Sequence, residues 1–342
     1  MREGESMELS VVIPVYNSSE SLRALTTRLL AALEDLHVTY EIIFVDDGSR
    51  DRSWDVLQEI QAEHSDRIVC VQFMRNFGQH NALMCGFRHT QGRFVVTLDD
   101  DLQNPPEEIG KLLDAIQSQT LDVVYGAPDR RKHRGWRNLG SWLVNFVYRT
   151  MFKTRVAISS FRIIRREVLE ATFSYSLNYT FVDGLLAWNS QRIGEVTVEH
   201  HPRQMGRSNY SLPKLVVLAL NLFSNFSLLP LQAVSLIGFV VAFSGLLTGT
   251  YYLLQFLLSN IAVSGYASTI VSILVLGGVQ LLSLGMIGEY LGRLHLNVNR
   301  KPQYTIRNVC ASRRASDRAW QAPVSFEELA TPIYHPSADE LE

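Results

Sequence analysis

The segment from Val96 to Glu108, VTLDDDLQNPPEE, places three aspartates in a row directly after an apolar stretch. Carboxylates at that spacing repel one another unless a cation holds them, and an all-oxygen ligand set favours magnesium or manganese. In an extended segment alternate residues share one face, so Asp99 and Asp101 point together and Asp100 points away. Gln103 keeps the same parity and offers a carbonyl oxygen. The pattern predicts a metal site of Asp99, Asp101 and Gln103, with Asp101→Asn abolishing function and Asp100→Ala largely preserving it.

An isolated D-x-D pair is more often a solvated acidic loop, so this prediction depends on the elements that position it. Over the first 125 residues, short β-branched runs alternate with helical patterns, which predicts βαβ units and a mainly parallel sheet within a domain of residues 1–211. Ligands bind beyond the carboxyl ends of such strands. Four loops at that edge carry polar residues: Tyr16-Asn17, Asp46-Asp47-Gly48-Ser49, Arg75-Asn76-Phe77-Gly78 and Asp99-Asp100-Asp101.

The second half of the chain contains two long apolar segments. No Asp, Glu, Lys, Arg or His occurs between Lys214 and Glu289. Residues 228–258 and 266–290 each exceed the roughly 20 residues that cross a bilayer as a helix. A buried hydrophobic hairpin is the alternative, which the lack of an amphipathic period disfavours. We therefore predict a transmembrane helical hairpin with both termini in the cytoplasm, because basic residues flank the pair and none lies in its connection.

Two further segments have the pattern of helices that lie on a membrane surface. Residues 136–153 are strongly basic, and their apolar residues recur at helical spacing, which suits a surface of anionic lipid. An ordinary surface helix packed on the sheet is the alternative. Residues 212–226 have the pattern of a second interfacial helix. Residues 291–342 form a polar cytoplasmic tail that we expect to be loosely ordered after Arg307 and to which we assign no function.

Composition excludes several other functions. A formal charge of −2 over 342 residues argues against a general nucleic-acid binder. The three cysteines are scattered without a zinc spacing, and a cytoplasmic setting predicts reduced thiols. The sequence contains no Walker A or GxGxxG phosphate loop, and its first ten residues lack the apolar core of a signal peptide.

Four motifs carry a resemblance to a known family. VVIPVYN, FVDDGSRD, RNFGQHNALMCGF and LDDDLQNPPEE, in that order and spacing, resemble the family 2 glycosyltransferases, which have the nucleotide-sugar-binding GT-A fold. With the apolar hairpin, the chain is similar to the polyprenyl-phosphate glycosyltransferases: dolichyl-phosphate mannose synthases, bacterial undecaprenyl-phosphate glucosyltransferases and the aminoarabinose transferases of lipid A modification. GQHNALMCGF and LQNPPEEI are typical of the last group. The resemblance extends from about Leu9 to Pro302.

The resemblance implies roles for the residues that match the family motifs. A magnesium or manganese ion on the donor diphosphate would be bound by Asp99, Asp101 and Gln103, with Asp101 in a catalytic role. Asp47 would contact the nucleotide base. The full set implied for binding the nucleotide-sugar donor is Pro14, Tyr16, Asn17, Asp46, Asp47, Asp99 and Arg75.

The acceptor of these enzymes is a polyprenyl phosphate, which is already an anion at neutral pH. Its attack on the anomeric carbon requires no general base, but it does require positive charge to bring two anionic substrates together. The segment RQMGRSNYS resembles the family loop R-x-x-G-x-S-K-Y, and a second group of arginines precedes it. For each arginine, attraction to lipid headgroups without catalysis is the alternative. The implied acceptor-phosphate set is Arg131, Arg137, Ser141, Arg203, Arg207 and Ser208, of which Arg131, Arg137 and Arg203 would be catalytic.

The chain also departs from the family pattern. The family usually has glutamate where this chain has Ser18, and a small residue in place of Asp100 between the two aspartates. Ser159-Ser160 replace a glycine-aspartate pair, and Asn209 replaces a lysine. A different sugar or a weakly active paralogue would account for such changes.

Together these patterns predict a GT-A domain with interfacial helices and a membrane hairpin at the inner membrane. The predicted function is inverting, metal-dependent transfer of one sugar from a nucleotide-sugar, a UDP-sugar, to undecaprenyl phosphate. A processive polysaccharide synthase is one alternative, but its Q-x-x-R-W motif and additional membrane helices are not visible. The other is a membrane protein that binds nucleotide-sugar without catalysis. The small-residue spacing of the hairpin, Gly277-Gly278 with Gly285 and Gly288, would permit a homo-oligomer.

Overall fold

The structure is a computed structural model that describes residues 7–128, 156, 158–175, 180–201, 229–258, 265–298 and 302–311. The chain divides into two compact units, Met1–Tyr210 with Pro302–Glu342, and Ser211–Lys301. The predicted amphipathic helix at 136–153 and the predicted interfacial helix at 212–226 lie outside the described residues, and both stay predictions.

The first unit is built around one sheet, in which the described residues form eight strands. In chain order these are β1 (Leu9–Val15), β2 (Tyr40–Asp46), β3 (Ile68–Phe73), β4 (Phe94–Thr97), β5 (Val123–Pro128), β6 (Arg162–Arg165), β7 (Ile193–Val198) and β8 (Ile306–Cys310). Their order across the sheet is β7-β5-β6-β4-β1-β2-β3-β8.

Pairing within the sheet confirms the predicted mainly parallel α/β architecture. β1 pairs in parallel with β2 and β4, β2 with β3, and β5 with β7. β6 runs antiparallel to β4 and β5, and β8 runs antiparallel to β3. Every residue of β1 and β2 is buried, as expected for central strands covered on both faces, which explains why both sequences are mostly apolar.

Helices connect and cover these strands. α1 packs on the core through Leu22, Leu25, Leu29 and Leu33, whose spacing of three to four residues forms one apolar face. A short 3₁₀ turn, Pro106–Glu108, precedes α4, in agreement with proline at a helix start. The helices of this unit are α1 (Leu22–Asp35), α2 (Ser53–Glu63), α3 (Gln79–Arg88), α4 (Ile109–Ser118), α5 (Arg166–Thr172) and α6 (Val182–Asn189).

The expectation of a loosely ordered tail after Arg307 is wrong for its first residues. β8 continues through Cys310 and extends the sheet beside β3. Just before it, Gln303 and Tyr304 are buried. A five-residue strand that pairs with a partner more than 200 residues earlier has little local signal, so the polar composition of the tail concealed it.

The second unit contains two long helices that contact each other, α7 (Leu229–Leu258) and α8 (Tyr266–Val298). The predicted helices are therefore present, and α8 continues beyond the predicted end at residue 290. Among the described residues, one stretch has the length and composition to cross a membrane, Val275–Gly292 in α8. The apolar stretch in α7, Val234–Gly245, is shorter. The predicted two-helix transmembrane hairpin is thus not confirmed.

Candidate active site

The loops that follow β1, β2 and β4 are joined by hydrogen bonds at the carboxyl edge of the sheet. The Asn17 amide donates to the Ser49 hydroxyl at 2.9 Å, and the Arg50 amide donates to the Asn17 side-chain oxygen at 2.8 Å. The Tyr16 amide donates to the Asp100 carboxylate at 3.1 Å. The sequence-based prediction that these loops meet at one edge is confirmed.

Two backbone conformations allow the loops to approach so closely. Asn17 has φ +54°, a left-handed conformation that asparagine tolerates better than most residues. Gly48 has φ +67°, and a Cβ placed there would lie 2.5 Å from the Arg75 carbonyl carbon. Glycine at position 48 is therefore required for the loop after β2 to pack against the loop after β3.

Asp46 ends β2 and Asp47 follows it, and both are buried, with 0% and 3% of their surfaces exposed. Asp46 accepts hydrogen bonds from the Ser49 amide at 3.0 Å and from the Gln72 side-chain amide at 3.3 Å. Burial raises the pKa of each carboxyl, for Asp47 to about 6. Such buried carboxylates at a sheet edge are typical of functional sites.

Asp47 connects its strand to the loop after β3. Its two oxygens accept hydrogen bonds from the Phe77 amide at 2.6 Å and the Gly78 amide at 2.9 Å. The guanidinium of Arg75 lies over the Phe77 ring, 4.5 Å from its centroid. We call residues 74–78 the donor loop. Asp47 holds this loop in place, and its contact with a nucleotide base stays a prediction.

The acidic cluster does not have the predicted strand geometry. β4 ends at Thr97, and residues 100–101 lie in a turn that Leu102 continues with φ +60°. Strand alternation therefore cannot sort the three aspartates, and that part of the sequence argument is wrong. In this turn the side chains of Asp99, Asp100 and Asp101 each have different hydrogen-bond partners.

Asp99 is held on both oxygens. The Gln79 side-chain amide donates to Oδ1 at 2.7 Å, and the Ser160 hydroxyl donates to Oδ2. Burial raises the pKa of Asp99, the Asp101 charge raises it further, and the Ser160 hydrogen bond opposes both. Asp99 is therefore a fixed carboxylate, and the charge of nearby Arg162 partly offsets the effect of burial on its pKa.

Asp100 points towards the loop after β1. Its Oδ2 accepts the Tyr16 amide and, at 2.5 Å, the Ser18 hydroxyl. Its carbonyl oxygen accepts a hydrogen bond from the Ser21 hydroxyl at 2.7 Å. Burial raises the pKa of Asp100 to about 6, and the charges of Asp99 and Asp101 contribute. This carboxylate connects the acidic turn to the first loop of the site.

Asp101 closes the turn, because its Oδ1 accepts the Gln103 amide at 3.1 Å. The Gln103 carbonyl in turn accepts a hydrogen bond from the His201 amide at 2.8 Å, just beyond the end of β7. Both bonds use the backbone of Gln103. They connect the acidic turn to the far side of the sheet.

The acidic turn suits a divalent cation. Among the described residues, no three histidine, cysteine or acidic side chains are grouped as a complete metal site. Magnesium and manganese, however, commonly use one or two carboxylates and complete their shell with water and substrate phosphate. The charge of Asp101 contributes to the raised pKa of Asp99, and a bound cation would favour the ionised form of Asp99. The chemistry of the two carboxylates suits such an ion, and its binding by Asp99, Asp101 and Gln103 stays a prediction.

Sequence reasoning missed a buried polar cluster close to Asp99. Arg162 on β6 forms an ion pair with Asp183 on α6, and the Tyr125 hydroxyl donates to the same carboxylate at 2.8 Å. His80 lies nearby with its pKa lowered to about 4 by burial, so it is neutral. The available signal was an arginine within the otherwise apolar segment Phe161–Ile164. A buried arginine requires a buried partner.

The predicted acceptor-phosphate residues lie outside the described residues. Their roles are not tested by the structure and stay predictions. They are Arg131, Arg137, Ser141, Arg203, Arg207 and Ser208.

Donor affinity should depend on pH through Asp47. Below about pH 6 its carboxyl takes up a proton, which removes one of the two acceptors for the Phe77 and Gly78 amides. We expect protonation of Asp47 to weaken nucleotide-sugar binding by about tenfold between pH 7 and pH 5, and Asp100 titrates in the same range, so the comparison with Asp47→Asn isolates the contribution of Asp47. Titration of donor binding without acceptor measures this, because the donor diphosphate diester does not ionise in that range.

The effect of Asp47 on the pH dependence of folding stability is opposite in direction to its effect on donor binding. A carboxyl whose folded pKa is raised from about 4 to about 6 costs stability as pH rises through that window, so acid does not unfold the protein through Asp47. Asp47→Asn is the control, because it should bind donor weakly at both pH values. Equal affinity of the wild-type protein at pH 7 and pH 5 would contradict the prediction.

A mainly parallel sheet whose carboxyl-edge loops gather buried aspartates is typical of α/β proteins that bind a ligand beyond the strand ends. The family follows from direct comparison. The profile of Glycosyl transferase family 2 matches residues 10–173, which include all four loops of the site. The chain belongs to this family and is a glycosyltransferase.

Several relatives are similar over nearly their whole length. An undecaprenyl-phosphate 4-deoxy-4-formamido-L-arabinose transferase of Edwardsiella ictaluri is 38% identical over 305 residues, 88% of this chain and 94% of that protein. A protein of the same name from Pseudomonas paraeruginosa is 38% identical over 307 residues, 88% and 90% of the two chains. An uncharacterized glycosyltransferase of Synechocystis is 37% identical over 314 residues, 89% and 96%.

Solved structures are more distant. The glucosyl-3-phosphoglycerate synthase of Mycobacterium tuberculosis, in complex with Mn²⁺, UDP and phosphoglyceric acid, has 20% identity and a TM-score of 0.48. The match covers 64% of this chain and 76% of that one. The mannosyl-3-phosphoglycerate synthase of Rubrobacter xylanophilus has 16% identity and a TM-score of 0.46, with coverage of 63% and 71%. This likeness is too distant to inform the ligands of the present site.

Proposed function

We propose that this glycosyltransferase transfers a single sugar, with inversion, from a UDP-sugar to undecaprenyl phosphate at the cytoplasmic face of the membrane. The observation that carries the proposal is the joining of the carboxyl-edge loops around Asp47 and Asp99–Asp101, which makes one acidic site. Relatives named as undecaprenyl-phosphate transferases, matching 88% of the chain, support the acceptor class. The lipid-linked sugar would then serve cell-envelope or lipid A modification.

The reaction is a substitution at the anomeric carbon. A phosphate oxygen of the lipid forms the new bond to that carbon, while the bond to the β-phosphate oxygen of UDP breaks and its electron pair leaves with UDP. The attacking phosphate is already ionised, so no side chain has to remove a proton. The protein must hold two anions together and exclude water from the anomeric carbon.

The acidic turn and the neighbouring loops would bind the donor. Asp99, Asp101 and Gln103 would hold magnesium or manganese, which when bound supplies positive charge to the departing diphosphate. Arg75 on the donor loop lies on the same edge of the sheet, where its charge suits a diphosphate. The remaining donor residues in this proposal are Pro14, Tyr16, Asn17, Asp46 and Asp47.

The acceptor would approach from the membrane. The apolar stretch Val275–Gly292 supports an association of α8 with the bilayer, and we propose that α7 and α8 form the anchoring hairpin with both termini in the cytoplasm. The arginines of the acceptor set would bind the lipid phosphate by bidentate hydrogen bonds. In this proposal they are Arg131, Arg137 and Arg203, assisted by Ser141, Arg207 and Ser208.

Purified protein in detergent or vesicles, incubated with undecaprenyl phosphate and a panel of radiolabelled UDP-sugars, tests the proposal. UDP-4-deoxy-4-formamido-L-arabinose is the first donor to include, because the relatives carry that sugar in their names. One organic-extractable product bearing a single sugar is the expected result. A long polymer would indicate a processive synthase, and donor binding without any product would indicate a non-catalytic binding protein.

Removal of divalent metal should abolish transfer. We expect EDTA to reduce the rate by about a hundredfold or more, since a metal ion contributes several kcal/mol to stabilising the leaving group. Excess magnesium or manganese should restore the rate, and calcium alone, with its larger radius, should restore less. Full activity after exhaustive chelation would refute the metal-dependent mechanism while leaving the family assignment intact.

A further inference from the structure

The segment that follows α8 returns to the sheet next to the donor loop. We call residues 302–311 the C-terminal strap. Its strand β8 pairs antiparallel with β3, and the Met74 amide donates to the Thr305 carbonyl at 2.9 Å just beyond the last residue of β3. The Arg307 guanidinium donates to the Met74 carbonyl at 3.4 Å. The strap therefore contacts the first residue of the donor loop through two hydrogen bonds.

Tyr304 fills the space between β3 and α3. Its ring stacks on the Phe73 ring with centroids 5.0 Å apart and planes 10° from parallel. Only 5% of its surface is exposed, and its hydroxyl lies beside the buried thiol of Cys85 on α3. β3 precedes the donor loop and α3 follows it, so Tyr304 supports both ends of that loop.

The contact with Phe73 continues into the donor site. The Phe73 ring meets the Phe77 ring edge-on, with centroids 5.7 Å apart. The amides of Phe77 and Gly78 donate the two hydrogen bonds that the Asp47 carboxylate accepts. A continuous chain of contacts therefore links the strap to the buried carboxylate through two aromatic rings and two amides.

The other side of the donor loop is already limited by packing. Gly48 lies so close to the Arg75 backbone that no Cβ would fit there. Without the Tyr304 ring the donor loop would lose its support on the strap side while keeping the contact at Gly48. It would therefore shift towards the space that the ring had occupied.

We propose that Tyr304 is a positioning residue for the donor site. It acts through Phe73 and Phe77 on the two backbone amides that donate hydrogen bonds to Asp47. The inference rests on the proposed function, because it assigns the donor loop to the nucleotide-sugar. Under this proposal the C-terminal strap, which follows the apolar helix α8, contributes to donor binding. Simple protection of the sheet edge at β3 is the competing role for β8.

Kinetics of the full-length protein separate these roles. We expect Tyr304→Ala to raise the KM for the nucleotide-sugar and the Kd for UDP by about tenfold, because misplacement of a binding group by a fraction of an ångström has effects of this order. The KM for undecaprenyl phosphate should stay within about twofold of wild type. Tyr304→Phe keeps the ring and should retain wild-type donor KM.

Val309→Ala is the matched control. Val309 lies on β8 in the same C-terminal strap, pairs with Val71 and is 36% exposed, whereas Tyr304 precedes β8 and stacks on Phe73. If β8 served only to cover the edge of the sheet, Val309→Ala and Tyr304→Ala would act alike. The proposal requires that only Tyr304→Ala changes donor affinity.

Amide hydrogen exchange gives a readout that does not depend on turnover. In folded Tyr304→Ala protein, the Phe77 and Gly78 amides should exchange at least several-fold faster, while the β1 amides keep their protection. Unchanged UDP affinity together with unchanged exchange at these two amides would overturn the proposal. Global loss of protection would also count against it, since it would assign Tyr304 to the core alone.

If the wild-type protein transfers no sugar, the proposed function fails, but UDP affinity and exchange still decide the role of Tyr304.

Discussion

Asp101→Asn should reduce sugar transfer by about a thousandfold. A bound cation contributes several kcal/mol to the stability of the departing diphosphate, and each 1.36 kcal/mol is a factor of about ten in rate. Asparagine keeps the size of the side chain and one oxygen that can accept the Gln103 amide, so the turn should persist. It removes the negative charge that a divalent ion requires. The loss should therefore arise from metal binding and not from misfolding.

The mechanism is tested by measuring UDP affinity with and without manganese. Wild-type protein should bind UDP more tightly when manganese is present, and Asp101→Asn should lose that increment while keeping its metal-free affinity. Asp55→Asn is the control, because Asp55 is exposed on α2 and its ion pair with Arg52, at 3.7 Å, lies on the surface. Wild-type transfer by Asp101→Asn, or an equal loss of metal-free UDP affinity, would remove Asp101 from the metal site.

Much of the catalytic sheet could be predicted because its signals are local. β1 to β5 are short apolar or β-branched runs separated by helical patterns, and parallel strands with helices between them leave few topologies. That argument also placed the polar loops together at one edge. β8 could not be predicted in this way, because its partner β3 is more than 200 residues away and pairing between distant segments has no periodic signature.

The limits of the site prediction have the same physical origin. The pattern located the acidic cluster, but it assumed extended backbone through Asp101, whereas β4 ends at Thr97. Where a strand stops depends on its neighbours, and β6 pairs with β4 only over Phe94–Thr97. The partner of Arg162 was invisible for a related reason, since Asp183 lies on a helix 21 residues later. The direction of a side chain after a strand end depends on its tertiary neighbours, which the local sequence pattern does not specify.

Asp100 contacts a residue that the sequence pattern alone did not connect with it. In the family pattern a glutamate stands at position 18 and a small residue at position 100, while this chain has Ser18 and Asp100. The two side chains are in direct contact, because the Ser18 hydroxyl donates to the Asp100 carboxylate at 2.5 Å. The structure therefore places the two departures in direct contact, with a carboxylate supplied at this place by the acidic turn. The sequence alone predicted that Asp100→Ala preserves transfer, and this contact gives a physical reason to expect a loss instead.

Asp100→Ala should lower transfer by about ten- to a hundredfold, the usual range for a residue that orients metal ligands. The change leaves the Tyr16 amide and the Ser18 hydroxyl without their acceptor and releases the first loop from the turn. Ser18→Glu should also lower transfer, because it places a second carboxylate against Asp100. The double variant Ser18→Glu/Asp100→Ala has one carboxylate again and should recover to within about threefold of wild type.

This recovery separates a shared carboxylate site from two independent structural defects. Independent defects add, so the double variant would be worse than either single one, whereas a shared site gives a double variant better than both. Thermal unfolding of all four proteins checks that differences in rate do not follow differences in stability. Additive losses, or an Asp100→Ala variant with wild-type rate, would show that the contact between Ser18 and Asp100 has no part in transfer. Recovery would show that a carboxylate between the first loop and the acidic turn is needed, whichever of the two segments supplies it.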